Sequence, residues 1–138
     1  MSNDKWNLVL GRFLMSVIFI LSGVLKLTHF AASASMMAGN GIPLAKLALV
    51  ISLVIEIGGG VALLTGFRVR QIAPIMALWL VPVTLVFHNF WAYQGAEQQN
   101  QTVHFLKNVA IMGGLLVAAY ADRAVQRSVA AAAVGSRT

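Results

Sequence analysis

Five polar residues stand inside or beside otherwise apolar stretches: Lys26, Glu56, His88, Lys107 and Asn108. From Leu47 to Phe67 the chain reads LALVISLVIEIGGGVALLTGF, and Glu56 is its only charge. That stretch, about 21 residues, is long enough for a helix to cross a hydrocarbon core of roughly 30 Å. An acid at mid-membrane is costly unless it faces protein or water and finds a partner. The set has a definite chemistry. A carboxylate and an imidazole exchange protons, while two ammonium groups and an amide donate hydrogen bonds to an oxygen. Two lysines and a histidine against one glutamate leave local positive charge, which favours an anion or a quinone oxygen over a cation. These five residues are therefore the ligand-binding or proton-handling candidates. The competing reading is structural: Glu56 pairs with a lysine, or bonds to Ser22 and Asn108, and fixes helix register while the lysines snorkel to the interface.

Other chemistries find less support. There are no cysteines, so disulfides, dithiol relays, iron–sulfur clusters and thiolate–zinc sites are excluded. Electrons for a redox reaction would come from a bound cofactor, a quinone or another subunit. His29, His88 and His104 all fall at the same ends of their segments, but no HxxxH or HxxEH pair is present, and no metal site is expected. No covalently bound cofactor is expected either. No nucleophile elbow, P-loop or dinucleotide fingerprint occurs, and Gly58-Gly59-Gly60 lacks the strand–turn–helix setting of a phosphate cradle. Whether the chain is an enzyme stays open on these residues.

Positioning these groups falls to four apolar segments, about 8–27, 47–67, 72–90 and 103–121, with a short tail over 122–138. Backbone groups in lipid must be satisfied internally, so all four are expected to be helices in a single transmembrane domain. The expected fold is all-α, an integral membrane four-helix bundle. Pro74 suits the first turn of the third span and Pro82 should kink it. Gly58, Gly59, Gly60 and Gly66, with Ala110, Gly113 and Gly114, should let helices approach closely. Four spans put both termini on one side with Lys5, Arg68, Arg70, Arg123, Arg127 and Arg137, and the positive-inside rule makes that side cytoplasmic. Arg12 and Arg70 are read as structural or lipid-contacting residues. Trp6, Trp91 and Tyr93 fit interfacial belts. The stretch from His29 to Lys46 is read as a short amphipathic helix or lid, and Trp91 to Thr102 as a solvated loop. A cleaved signal peptide is disfavoured, because the run from Leu8 extends about 18 residues before Lys26, longer than the usual stretch of about 7–15.

Composition agrees with a membrane protein. Hydrophobic residues make up 59% and charged residues 10%, against about 25% charged in soluble domains. The net charge of +6 resides on single bases at the ends of apolar runs, so lipid rather than nucleic acid is the expected partner.

The ordered polar and small residues carry a family resemblance. Gly11-Arg12, Ser22-Gly23 and Lys26 in the first segment are followed by Met37, Gly41-Ile42-Pro43 and Glu56 with Gly58-Gly59. Gly66-Phe67 and Arg70, Phe87-His88-Asn89-Phe90-Trp91, Phe105-Leu106-Lys107-Asn108 and Gly113-Gly114-Leu115 complete the set. In this order the chain, over about Leu10 to Leu116, resembles the DoxX family of small four-helix membrane proteins. The resemblance implies a multi-pass protein of the bacterial inner membrane. It also implies an association with membrane oxidoreductases, since the family is named for a subunit of an archaeal thiosulfate:quinone oxidoreductase. The leading expectation is a redox-associated subunit binding a quinone or small anionic ligand in the extracytoplasmic half, with a redox partner subunit or a homo-oligomer as candidate assemblies. A non-enzymatic scaffold and a small transporter are the alternatives.

Overall fold

The computed structural model describes residues 3–135, and these are all-helical, with no strand among them. Four helices are long and apolar enough to cross a membrane. The first is α1 (Asn3–Thr28), followed after His29 by the short α2 (Phe30–Gly39). The second span is continuous from Ala45 to Thr65 but changes winding: α3 (Ala45–Leu53), a π turn (Val54–Gly58) and α4 (Gly59–Thr65). The third is α5 (Val69–Phe87), closed by a single 3-10 turn (Phe90–Ala92). The fourth, α6 (Gly95–Gly135), is the longest. Arg137, used above for orientation, is outside the described residues, as is the side chain of Lys5.

Local chemistry sets the breaks. Gly66, at φ +78°, caps the second span. Phe67 N–H donates to Ala62 C=O at 2.9 Å and Gly66 N–H to Leu63 C=O at 3.3 Å, the paired bonds of a Schellman cap, which calls for a left-handed residue that glycine adopts without strain. On the opposite side Gly41, at φ +77°, and Pro43 separate α2 from α3.

Two sequence expectations are corrected here. The third helix begins at Val69, so Pro74 falls in its second turn rather than its first, and the helix runs on through both Pro74 and Pro82. The stretch 91–102, expected as a solvated loop, is helical from Gly95. Ala96, Glu97, Gln98 and Gln99 are good or tolerable helix formers, Glu97 complements the positive N-terminal end, and Gln101 Nε2 donates to Glu97 Oε1 at 2.8 Å one turn back. Residues 91–100 are nonetheless exposed.

Packing rests on close approach more than on hydrophobicity, because lipid tails are as apolar as the helix faces. A Cβ built on Gly60 would meet Ile20 Cγ1 at 2.7 Å, and one on Gly59 would meet Met76 Sδ at 2.6 Å. These two glycines seat the second span against α1 and α5. Gly58 and Gly113 have open space instead. One apolar cluster, with Phe19, Leu63, Met76, Leu80 and Leu115, fills the bundle toward the Gly66 turn. A second, smaller one joins Ala34 and Met37 of α2 to Leu49 and Leu53 of α3. Along the second span, Ser52 and Glu56 fall between Leu49 and Leu63, at the seam of the two clusters.

Candidate functional site

The buried stripe of the second span reads Leu49, Ser52, Leu53, Glu56, Gly59, Gly60, Ala62 and Leu63, a helical spacing that turns the acid inward. Glu56 is 5% exposed and sits within the π turn, a winding often found at functional positions. Its Oε1 forms an ion pair with Lys26 Nζ and accepts from Ser52 Oγ at 2.8 Å. Lys26 Nζ also donates to Ser22 Oγ at 3.2 Å. The ion pair ties α1 to the second span, whereas the Ser52 bond stays within one helix turn. Glu56 Oε2 is buried, with no hydrogen-bond partner among the described residues.

Beside this pair opens a cavity of about 700 Å³ lined on every side by different elements. α1 supplies Ser22 and Lys26, the second span Ser52 and Glu56, α5 Phe87 and its cap residue His88, and α6 Gln101, Lys107 and Asn108, while Met36 and Met37 of α2 cover part of it. All five candidates named from sequence therefore face one space. They are not all bonded to one another. Asn108 Nδ2 donates to Thr84 Oγ1 at 3.1 Å rather than to Glu56, and Thr84 Oγ1 donates on to Leu80 C=O at 2.6 Å. Lys107 is exposed, and its Nζ donates to His104 Nδ1 at 3.1 Å.

His88 belongs to a chain of contacts at the mouth. Its Nδ1 donates to Gln101 Oε1 at 2.9 Å, so Gln101 bridges His88 to Glu97. The rings of His88 and His104 stack with centroids 5.1 Å apart and planes 22° from parallel. Phe90, Trp91 and Phe105 pack edge to face beside them at 5.2–6.2 Å. His29 is exposed, and its Nδ1 lies 3.1 Å from Leu25 C=O. Among the described residues no three His, Cys, Asp or Glu side chains gather in a metal-binding group.

Arg12 and Arg70 are apart from this site. The Arg12 guanidinium packs on the capping turn at the C-terminal end of the second span, where a Cβ on Gly66 would meet its Nη1 at 2.8 Å. A cation there faces the negative end of the helix. Its Nε is buried, with no partner among the described residues. Arg70 is exposed on the same side.

Sequence reasoning missed Ser52, Thr84 and Gln101 as members of the site. Ser52 had a signal: it stands four residues before Glu56, on the same helix face. The other two are placed by bonds to His88 and Asn108 that no spacing rule supplies.

Residues 7–89 match a family model, the one described as DoxX. The chain belongs to the DoxX family. Two curated relatives are inner membrane proteins of Escherichia coli K12. YqjF is 35% identical over 113 residues, covering 82% of each chain. YphA is 29% identical over 112 residues, covering 81% of this chain and 80% of its own. No solved structure matches. With four apolar helices, these relationships make this DoxX protein a multi-pass protein of the inner membrane. The family match ends at Asn89, so Lys26, Glu56 and His88 fall within it, and Lys107 and Asn108 lie on α6 beyond it.

Proposed function

We propose that this DoxX protein is a membrane-embedded binding subunit whose cavity receives the head of a small ligand, with a quinone as the leading candidate, and that it works in association with a redox partner. The observation that carries the reading is the cavity itself: about 700 Å³ of space beside a buried, half-satisfied carboxylate. Small-molecule sites have this make-up, apolar walls with a few convergent polar groups. Phe87, Leu80 and Val83 line the cavity with apolar surface against which a ring could pack. Lys107 and Lys26 are donors for ring oxygens, Glu56 is the group that would take up or release a proton, and His88 at the mouth would pass it to water. With no cysteine in the chain, electrons would reach the ligand from a partner subunit or a second copy. In the orientation with both termini cytoplasmic, the cavity sits in the extracytoplasmic half.

The test is native mass spectrometry of the protein released from mild detergent, which weighs bound quinone, partner subunits and stoichiometry together. Retained quinone that is lost in Glu56→Gln supports the proposal. Quinone absent from the native protein, with added quinone binding equally to Glu56→Gln, removes it.

One observation favours a second reading. Lys26 and Glu56 bridge α1 to the second span, which is what a purely structural clamp in a non-enzymatic scaffold would do. On that reading Glu56→Gln lowers thermal stability and alters no ligand affinity.

A further inference from the structure

From the hydrogen bonds at the mouth of the cavity we infer that Gln101 and Glu97 are positioning residues for His88. They keep a proton on its Nδ1 in both charge states, so that Nε2 is the nitrogen that gains and loses a proton there. This role belongs to the proton-handling site proposed above and rests on that reading.

An imidazole alone does not say which nitrogen carries its proton; the partner of each nitrogen decides. Here the partner is fixed in its turn. Glu97 and Gln101 stand four residues apart, on one face of α6. Glu97 is exposed, and an ionised carboxylate only accepts. Gln101 Nε2 lies 2.8 Å from Glu97 Oε1, so the amide gives its N–H to Glu97 and turns its oxygen away. Turning the amide over would set two acceptors face to face. The Gln101 oxygen lies 2.9 Å from His88 Nδ1 and has no proton to give, so Nδ1 must donate. In neutral His88 the other nitrogen, Nε2, is then a bare acceptor. Among the described residues Nε2 has no hydrogen-bond partner, and it is not closed off from solvent. His88 itself is half-buried and lines the cavity. In the imidazolium both nitrogens are protonated, and Nδ1 keeps its bond to Gln101. The proton that comes and goes is the one on Nε2.

His104 is set the other way. An ammonium group has only donors, and Lys107 Nζ lies 3.1 Å from His104 Nδ1, so that nitrogen accepts and neutral His104 carries its proton on Nε2. Two rings stacked 5.1 Å apart therefore hold opposite tautomers. The titratable groups facing His88 from α6 are Glu97, His104 and Lys107, while Tyr93 and the Lys26–Glu56 pair line the same cavity. None of them bonds to His88 Nε2 among the described residues.

The test is nitrogen NMR of the full chain in lipid nanodiscs, with isotope-labelled histidine, in which a bare ring nitrogen and a protonated one resonate far apart. His29→Gln, His88→Gln and His104→Gln assign the rings. At about pH 8.5, where an ordinary imidazole is neutral, His88 should favour the Nδ1–H form by about fivefold or more, the gap expected of one hydrogen bond. His104 should favour Nε2–H. On acidification the Nε2 signal of His88 should move to the protonated position while its Nδ1 signal stays there. Gln101→Leu should remove the Nδ1 preference, and Gln101→Lys, which offers only donors, should reverse it. Exchanging the pair, Glu97→Gln with Gln101→Glu, keeps an acceptor opposite Nδ1 and should retain the native form. Native His88 with its proton on Nε2 overturns the inference. A native Nδ1–H form that persists in folded Gln101→Leu and Gln101→Lys proteins overturns the positioning role. If neither variant folds, the exchanged pair decides, and loss of Nδ1–H in it overturns the role equally. These spectra need no bound ligand. Their failure leaves the cavity as a ligand site, and absence of quinone leaves the tautomers as they are.

Discussion

Lys26→Met should destabilise the protein more than Glu56→Gln, although each breaks the same ion pair. Methionine keeps much of the lysine stem and removes only the charge and its donors. Glu56 cannot follow the lost cation. It is 5% exposed, on a short stem, with its Cβ only 3.5 Å from where a Cβ on Gly23 would stand. Removing one partner of a fully buried pair costs about 3–5 kcal/mol. The Lys26 side chain is 24% exposed, so part of the pair is solvated, and the expected cost falls to about 2–3 kcal/mol. The converse change is milder. In Glu56→Gln the lysine keeps Ser22 and can swing its ammonium to the mouth, so the cost should be about 1 kcal/mol. The double variant should resemble Glu56→Gln alone, giving a coupling energy of about 2–3 kcal/mol in magnitude in the double-mutant cycle. Reversible unfolding in mixed micelles of mild detergent and dodecyl sulfate, followed by helical circular dichroism, measures all four proteins. Lys26→Met no more costly than Glu56→Gln, or a coupling below about 0.5 kcal/mol, would refute the argument that the acid is immobile and the lysine is not.

The same unfolding assay checks three further changes. Gly60→Ala should cost about 1–3 kcal/mol, because its Cβ would meet Ile20 N at 3.2 Å as well as Ile20 Cγ1, whereas Gly58→Ala, with nothing within 4 Å, should be neutral or stabilise by up to about 1 kcal/mol. Equal effects would show that the two glycines are not distinguished by their surroundings. Thr84→Val leaves Asn108 Nδ2 without its acceptor and should cost about 1–3 kcal/mol, with Thr84→Ser close to the native protein. Gly66→Ala forces a left-handed alanine against Arg12 and should cost about 1–2 kcal/mol from the backbone alone; adding Arg12→Ala should leave most of that loss in place.

The four helical spans were legible because lipid leaves the backbone few options, and an unbroken apolar run of spanning length has one solution. Glu56 was legible for a related reason: a lone charge in such a run must turn inward. The glycines were less so. Gly58-Gly59-Gly60 reads as one motif, yet only Gly59 and Gly60 lie on the buried stripe, and a helix phase that cannot be fixed to better than a residue does not separate them. The start of α6 was hidden by its own polarity. Glu97 to Asn100 show no apolar period, since that turn is exposed, and helix continuity comes from propensity and the Gln101–Glu97 bond. The site's wider membership was invisible because Thr84 and Gln101 owe their places to partners on other elements.

The two readings of Glu56, clamp and binding group, need not be weighed as equals. A clamp that joins two helices in lipid can be made from small residues and van der Waals contact, and Gly23, Gly59 and Gly60 already bring the second span against α1 and α5. An ion pair adds little to that, because desolvating two charges offsets most of their attraction. Here the clamp also occupies only Oε1, and the second oxygen remains without a donor at a cost of about 1–3 kcal/mol. A carboxylate held through one oxygen by Ser52 and Lys26, on the wall of about 700 Å³ of space, is more than the packing of two helices requires.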